Sequence, residues 1–107
     1  MILEKLIAKI HTWQIKTFGP GEQVKRYTDH IKSEVEEVLE DPKALDEWMD
    51  IVILALGGAA RQGYNPWEIA HGLEEKLNVA MSREWPDWRD FHPDKTIHHI
   101  KEELDVT

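Results

Sequence analysis

Residues 34–50 read EVEEVLEDPKALDEWMD. Two acid pairs, Glu34 with Glu37 and Glu47 with Asp50, flank the break at Asp41-Pro42. Each pair is spaced i, i+3, so its two carboxylates share one helix face. Proline removes a backbone donor and disfavours helix in the residue before it, so one helix ends here and another begins. Fold the two helices antiparallel about residue 42, and Glu37 comes level with Glu47 and Glu34 with Asp50. A three-residue step rises about 4.5 Å along a helix, and facing helices lie roughly 8–10 Å apart. Four carboxylates then point into one small volume. Unneutralised, they repel. A hard divalent cation, which prefers carboxylate oxygen, removes that cost. The same spacing occurs at Glu37/Glu40, Glu84/Asp87, Asp87/Asp90 and Glu102/Asp105. Spacing alone is therefore equally that of solvated faces, with Lys32 and Lys43 as salt-bridge partners.

Outward from this hairpin, glycine and proline divide the chain into helices. A first helix is expected from about Ile2 to Phe18, with Leu3, Leu6, Ile7, Ile10 and Trp13 as its apolar stripe, ended by Gly19-Pro20-Gly21. The second spans about Glu22 to Glu40, with Val24, Tyr27, Ile31, Val35 and Val38 on one stripe. The third spans about Pro42 to Gln62, with Asp41 as its cap and Pro42 at its first position. Its second half, Ile51 to Ala60, is apolar all round, and Gly57, Gly58, Ala59 and Ala60 permit close helix approach. The fourth runs from the cap Asn65-Pro66 to about Trp85, and a short helix is expected from Asp94 to Leu104. The expected fold is all-α, a four-helix-bundle-like domain with a central antiparallel hairpin and a short C-terminal helical tail. Residues 1–86 form the catalytic part and 87–107 a tail of the same domain.

A chain of 107 residues has room for one domain and buries a limited share of its surface. The apolar helix from Ile51 to Ala60 therefore calls for a second copy, in a homodimer or a homotetramer. With 13 basic residues against 21 acids the net charge is −8, which argues against a binder of nucleic-acid backbone. It does not exclude a nucleotide enzyme, because magnesium neutralises a carboxylate cluster and brings phosphates with it. The absence of cysteine excludes disulfides, thiolate metal sites and a cysteine nucleophile. Glu4, Lys5 and Lys9 interrupt the first apolar stretch, unlike a signal peptide, and no apolar run approaches a membrane span. A cytoplasmic protein without a membrane partner is expected.

Three further features carry potential chemistry. His30 lies one turn before Glu34 on the same face, as a support for the acids, a substrate contact or a partly exposed helix residue. Lys76 and Arg83 lie seven apart on one face of the fourth helix, suited either to phosphate oxygens or to complementing the helix dipole. Glu68-Ile69-Ala70-His71 matches half of a di-iron bundle motif, which needs two copies on facing helices. Only one copy exists, so iron is set aside.

Taken together, these residues resemble the ExxE…ExxD signature of MazG-like all-α nucleotide pyrophosphohydrolases, closest to the small phage and bacterial dATP/dGTP pyrophosphohydrolase branch. Phe18-Gly19-Pro20, His30-Ile31-x-x-Glu34, Glu47-Trp48-Met49-Asp50-Ile51 and the closing Lys76, Arg83, Trp85 and Pro86 carry the resemblance, from about Trp13 to Pro86. It implies magnesium, with manganese as a substitute, held by Glu34, Glu37, Glu47 and Asp50. It also implies hydrolysis of a nucleoside triphosphate at the α-phosphorus, and phosphate contacts from Lys76 and Arg83. Two departures stand out. The acid pairs are separated by only nine residues, short for the family. Ala80 stands where the family often has asparagine, so that residue's role is not carried over.

Triphosphate hydrolysis needs phosphate charge neutralised and a water held in line. Glu37 and Glu34 form the expected catalytic pair, with Glu37 accepting the water proton. Base recognition needs an apolar slot, for which Trp13, Phe18 and the Trp85–Trp88 segment are candidates, although such aromatics also build cores. The rival readings are a non-catalytic acidic helical interaction protein, such as a phage-type inhibitor or nucleic-acid mimic, and a structural helical dimer with an accidental acid cluster.

Overall fold

The computed structural model describes residues 2–101. Four helices follow one another: α1 (Ile2–Phe18), α2 (Val24–Glu40), α3 (Leu45–Arg61) and α4 (Pro66–Ser82). A single 3-10 turn follows at Trp88–Asp90, and no strand occurs among the described residues. The protein is all-α with helix-bundle packing. It divides into two compact units, Met1–Gly72 and Leu73–Thr107. None of the helices described is long and apolar enough to cross a membrane.

Within the first unit α3 is the central helix, and both α1 and α2 pack on it. The core is small: Ile7 from α1, Tyr27 and Val38 from α2, Leu54 and Ala60 from α3. The expected α1 stripe is only partly buried, since Leu6 is 49% and Trp13 53% exposed. Gln14 takes the buried place instead, at 1% exposure. It fits because Gly57 has no side chain, and a Cβ there would overlap Gln14 Oε1. Gly58 faces Tyr27, where a Cβ would stand 3.5 Å from the ring, an ordinary contact. The close approach expected of the small-residue run therefore rests on Gly57.

The α1–α2 connection is held by side chains. Gly19 and Gly21 take the positive φ angles 83° and 104° that glycine allows without steric cost. Gly19 N–H donates to Ile15 O at 3.0 Å, ending α1 in a left-handed cap. Arg61, at the end of α3 and 7% exposed, reaches into this turn. Its Nη1 donates to Gly19 O at 2.8 Å and Gly21 O at 2.9 Å, its Nη2 to Gln14 O at 3.0 Å and its Nε to Tyr27 Oη at 2.7 Å. Its guanidinium also lies 5.0 Å from the Tyr27 ring centroid.

Several boundaries differ from expectation. Asp41 does not cap α3: it closes α2, its N–H donating to Glu37 O at 3.1 Å, and α3 starts at Leu45 after a turn. Proline at 42 instead sits in that turn, where its fixed φ is equally at home. Trp48 fastens the turn, its indole N–H donating to Pro42 O at 2.9 Å. Helix α4 begins as expected, with a reciprocal capping box. Glu68 N–H donates to Asn65 Oδ1 and Asn65 N–H to Glu68 Oε1, both at 2.9 Å. It ends at Ser82 rather than Trp85, because the Trp85 indole turns back to Ala80 O at 2.7 Å.

The helix expected from Asp94 is absent over Asp94–Lys101, and its remainder lies outside the described residues. That segment has only Ile97 and Ile100 to bury, too little for an isolated turn of helix to persist. Its backbone pairs elsewhere, Ile100 N–H donating to Glu84 O at 2.8 Å.

Gly57→Ala is expected to destabilise the fold by about 1–3 kcal/mol, the usual cost of overpacking. Gly58→Ala is expected to be neutral or to stabilise by up to ~1 kcal/mol through helix propensity. Urea unfolding of the two variants checks this, and equal midpoints would contradict the Gln14–Gly57 contact.

Candidate active site

The four-residue connection between α2 and α3 makes them antiparallel neighbours, which sets Glu34 of α2 beside Glu47 and Asp50 of α3. One carboxylate oxygen from each of these three lies within 4.8 Å of the others. Glu34 and Glu47 are half-buried and Asp50 is exposed. Glu37, expected as the fourth member, is exposed and stands outside this group. It is one helical turn nearer the connection than Glu34. It still acts on Glu47 through its charge.

Glu47 carries the electrostatic signature of the cluster. Its carboxyl is pushed above its ordinary pKa, by desolvation first and then by Asp46, Glu37, Asp50 and Glu34. Like charges gathered on a hairpin disfavour the ionised form. Three carboxylates in this geometry fit a hard divalent cation, by oxygen donor type and by mutual distance. His30 joins from the preceding turn of α2, with Nε2 3.1 Å from Glu34 Oε1. A hydrogen bond to a carboxylate that itself holds a metal fixes its orientation.

Beside the acids lies a recess of about 180 Å³, lined by Trp13, Gln14, Phe18, His30, Glu34, Asp50, Ile53 and Leu54. Trp13 and Phe18 meet edge to face, with centroids 5.7 Å apart. Thus Trp13, Phe18 and His30, singled out from sequence, come together with Glu34 and Asp50. Lys76 and Arg83 belong to the second unit, Lys76 on α4 and Arg83 just beyond it, so the two do not share one helix. Sequence reading missed Gln14, Tyr27 as a hydrogen-bonding group, and Arg61. The available signal was Gln14's position, seven residues after Ile7 and four after Ile10 on the α1 stripe.

The family model described as dATP/dGTP pyrophosphohydrolase matches residues 6–103. That is nearly the whole chain, so the chain belongs to this family and is an enzyme that removes pyrophosphate from nucleoside triphosphates. No curated protein and no solved structure matches it. The reading as a non-catalytic acidic interaction protein gives way to this membership.

The raised Glu47 pKa fixes the sign of a pH effect. The folded state holds this proton more readily than the unfolded chain does. Its contribution to stability is thus full below the ordinary carboxylate value and is lost as pH rises through the raised one. Metal-free protein should lose Tm across that window, and Glu47→Gln should flatten the loss. Magnesium at neutral pH should restore Tm in the unsubstituted protein and much less in the variant. Thermal melts with and without magnesium measure both; no magnesium response at neutral pH would count against a built site.

Proposed function

We propose that this member of the dATP/dGTP pyrophosphohydrolase family hydrolyses purine deoxynucleoside triphosphates in a magnesium-dependent reaction, giving monophosphate and pyrophosphate. One observation carries the reading. Glu34 and Asp50 belong at once to the acidic cluster and to the wall of the recess bordered by Trp13 and Phe18. A nucleoside triphosphate has the same two-ended chemistry, a flat ring beside a chain of phosphates.

Magnesium at the cluster supplies charge neutralisation for the phosphates, and manganese shares its ligand preference. Glu34, Glu47 and Asp50 would hold the ion, and His30 would keep Glu34 in register through its 3.1 Å contact. Glu37, exposed and outside the cluster, accepts the proton of the attacking water. Glu34, one turn back on the same face of α2, would orient that water. Trp13 and Phe18 cover the base. Lys76 and Arg83 bind phosphate oxygens, Arg83 through its planar fork.

The active form in this proposal is a homodimer or a pair of dimers in the cytoplasm, with residues 1–86 as the catalytic domain and 87–107 as its tail. Exposed apolar surface supports the assembly. Leu73, Leu77 and Met81 repeat every four residues along α4 and are 55%, 56% and 72% exposed. Val52 on α3 is 43% exposed. Each of these faces carries exposed apolar surface of the kind that interaction sites use.

With magnesium, dATP or dGTP is expected to yield the monophosphate and pyrophosphate, resolved by ion-exchange chromatography. Inorganic phosphate with a diphosphate product would place the cut at the wrong phosphorus. Asp50→Asn is expected to lower turnover at least ~100-fold, the scale of one lost electrostatic stabiliser. Its metal-free Tm should be unchanged or higher, since one of the charges acting on Glu47 is gone. Near-normal turnover at saturating magnesium would remove Asp50 from the site. Light scattering at micromolar concentration is expected to give a multiple of 12.5 kDa, and a monomer mass would refute the assembly.

A further inference from the structure

Gln14 is 1% exposed, yet it forms part of the recess between Trp13 and Phe18. Two contacts determine which end of its amide faces where. Tyr27 Oη lies 2.9 Å from Gln14 Oε1 and 2.7 Å from Arg61 Nε. A guanidinium only donates, so Tyr27 accepts from Arg61 and directs its one proton to Gln14. Turning the amide over would leave that buried proton without an acceptor, at the cost of an unsatisfied group. The oxygen of Gln14 is therefore committed to Tyr27, and its nitrogen faces the other way. There Nε2 meets Ile53 O at 3.5 Å, longer than a strong N–H···O bond, and Ile53 is itself part of the recess wall. Among the described residues Ile53 O is the one acceptor that Nε2 meets, which leaves its second proton for a ligand. An oriented donor thus belongs to a residue that lines the recess. Gly57, lacking a Cβ, leaves room for the side chain.

Resting on the reading of the recess as the base slot, we propose that Gln14 donates a hydrogen bond to N7 of the purine, with Tyr27 and Arg61 as residues that position its amide. The choice of atom follows from base chemistry. Adenine and guanine both carry an acceptor at N7, and pyrimidines have none there. At position 6 adenine donates and guanine accepts, so a fixed donor there would separate the two purines. On the opposite edge the purine N3 and the pyrimidine O2 are equivalent acceptors, so a donor there would not exclude pyrimidines. N7 is the atom at which one fixed donor admits both purines and rejects both pyrimidines.

The test compares dAMP with 7-deaza-dAMP by titration calorimetry, and dATP with 7-deaza-dATP in hydrolysis with magnesium. The 7-deaza ring replaces N7 by C–H and changes little else in shape. The unsubstituted protein should bind 7-deaza-dAMP roughly ten-fold more weakly, the scale of one hydrogen bond withdrawn from a buried donor. In hydrolysis the difference should fall on KM and not on kcat. Gln14→Met should bind the two monophosphates equally within about two-fold. Tyr27→Phe should narrow the preference without abolishing it, since the amide is then free to turn. Equal binding of the two ligands by the unsubstituted protein overturns the proposal, and needs no variant to fold. So does a preference that survives in Gln14→Met. A protein that shows the N7 preference in binding yet cleaves no dATP would keep the role of Gln14 and refute the proposed reaction.

Discussion

A guanidinium taken out of water must find oxygens for its protons, because an uncompensated buried charge costs several kcal/mol. Arg61 finds four: the carbonyls of Gln14, Gly19 and Gly21 and the hydroxyl of Tyr27. These belong to the end of α1, the turn after it and the first half of α2. One side chain from the end of α3 thus joins all three helices of the first unit. Gln23 Nε2 adds a second donor to Gly19 O at 3.4 Å, so two side chains hold the turn. Phe18 sits at the start of this turn, and its own carbonyl is taken by Gln23 Nε2 at 2.8 Å and Arg26 Nη1 at 2.9 Å. The aromatic wall of the recess therefore inherits its position from a polar network, and little of it from an apolar core that is small to begin with.

The acidic cluster has the opposite energetics. Glu34, Glu47 and Asp50 repel one another, and the Glu47 carboxyl is pushed up by desolvation first and then by the charges of Asp46, Glu37, Asp50 and Glu34. They stay together because the backbone leaves them no choice. The short connection fixes the antiparallel register, Trp48 fastens it to Pro42, and Val38 and Leu54 bury the apolar sides of the same two helices. Stability supplied by packing holds charges in an unfavourable arrangement. Local conflict of this kind is expected at functional sites, where a ligand resolves it.

This contrast explains what could be read from the chain. Helix α1 and the start of α4 followed from periodicity and capping residues, and Asn65 with Glu68 forms the reciprocal cap that such spacing predicts. The α2–α3 hairpin and three of its acids followed from i, i+3 spacing across a proline break. These are local signals. Glu37 was placed with the acids by level alone, and helical level does not fix how far a side chain reaches. Gln14 and Arg61 were illegible for another reason. Their partners lie 13 to 47 positions away, and a polar residue on an apolar stripe gives no sign of what will satisfy it. The tail was misread because two isoleucines at helical spacing cannot outweigh a backbone bond to Glu84.

The two halves of the site constrain each other. A net charge of −8 and three clustered acids repel a triphosphate, so a cation at the cluster would favour its phosphate end. The recess answers the other end, with Trp13, Phe18, Ile53 and Leu54 as its apolar lining and Glu34 and Asp50 where it borders the cluster. At about 180 Å³ it is smaller than the ~300–1,000 Å³ of a whole-ligand pocket and suits a base without its phosphates. Under the proposed reading, base burial draws on apolar area and on one oriented amide, and phosphate capture on the cation. His30 borders both halves, touching Glu34 and lining the recess, so under the proposed reading a base seated against it would bear on the orientation of that carboxylate. Under that reading His30, Glu34 and Asp50 tie base to cation, and a wrongly shaped base would weaken phosphate neutralisation as well as its own binding.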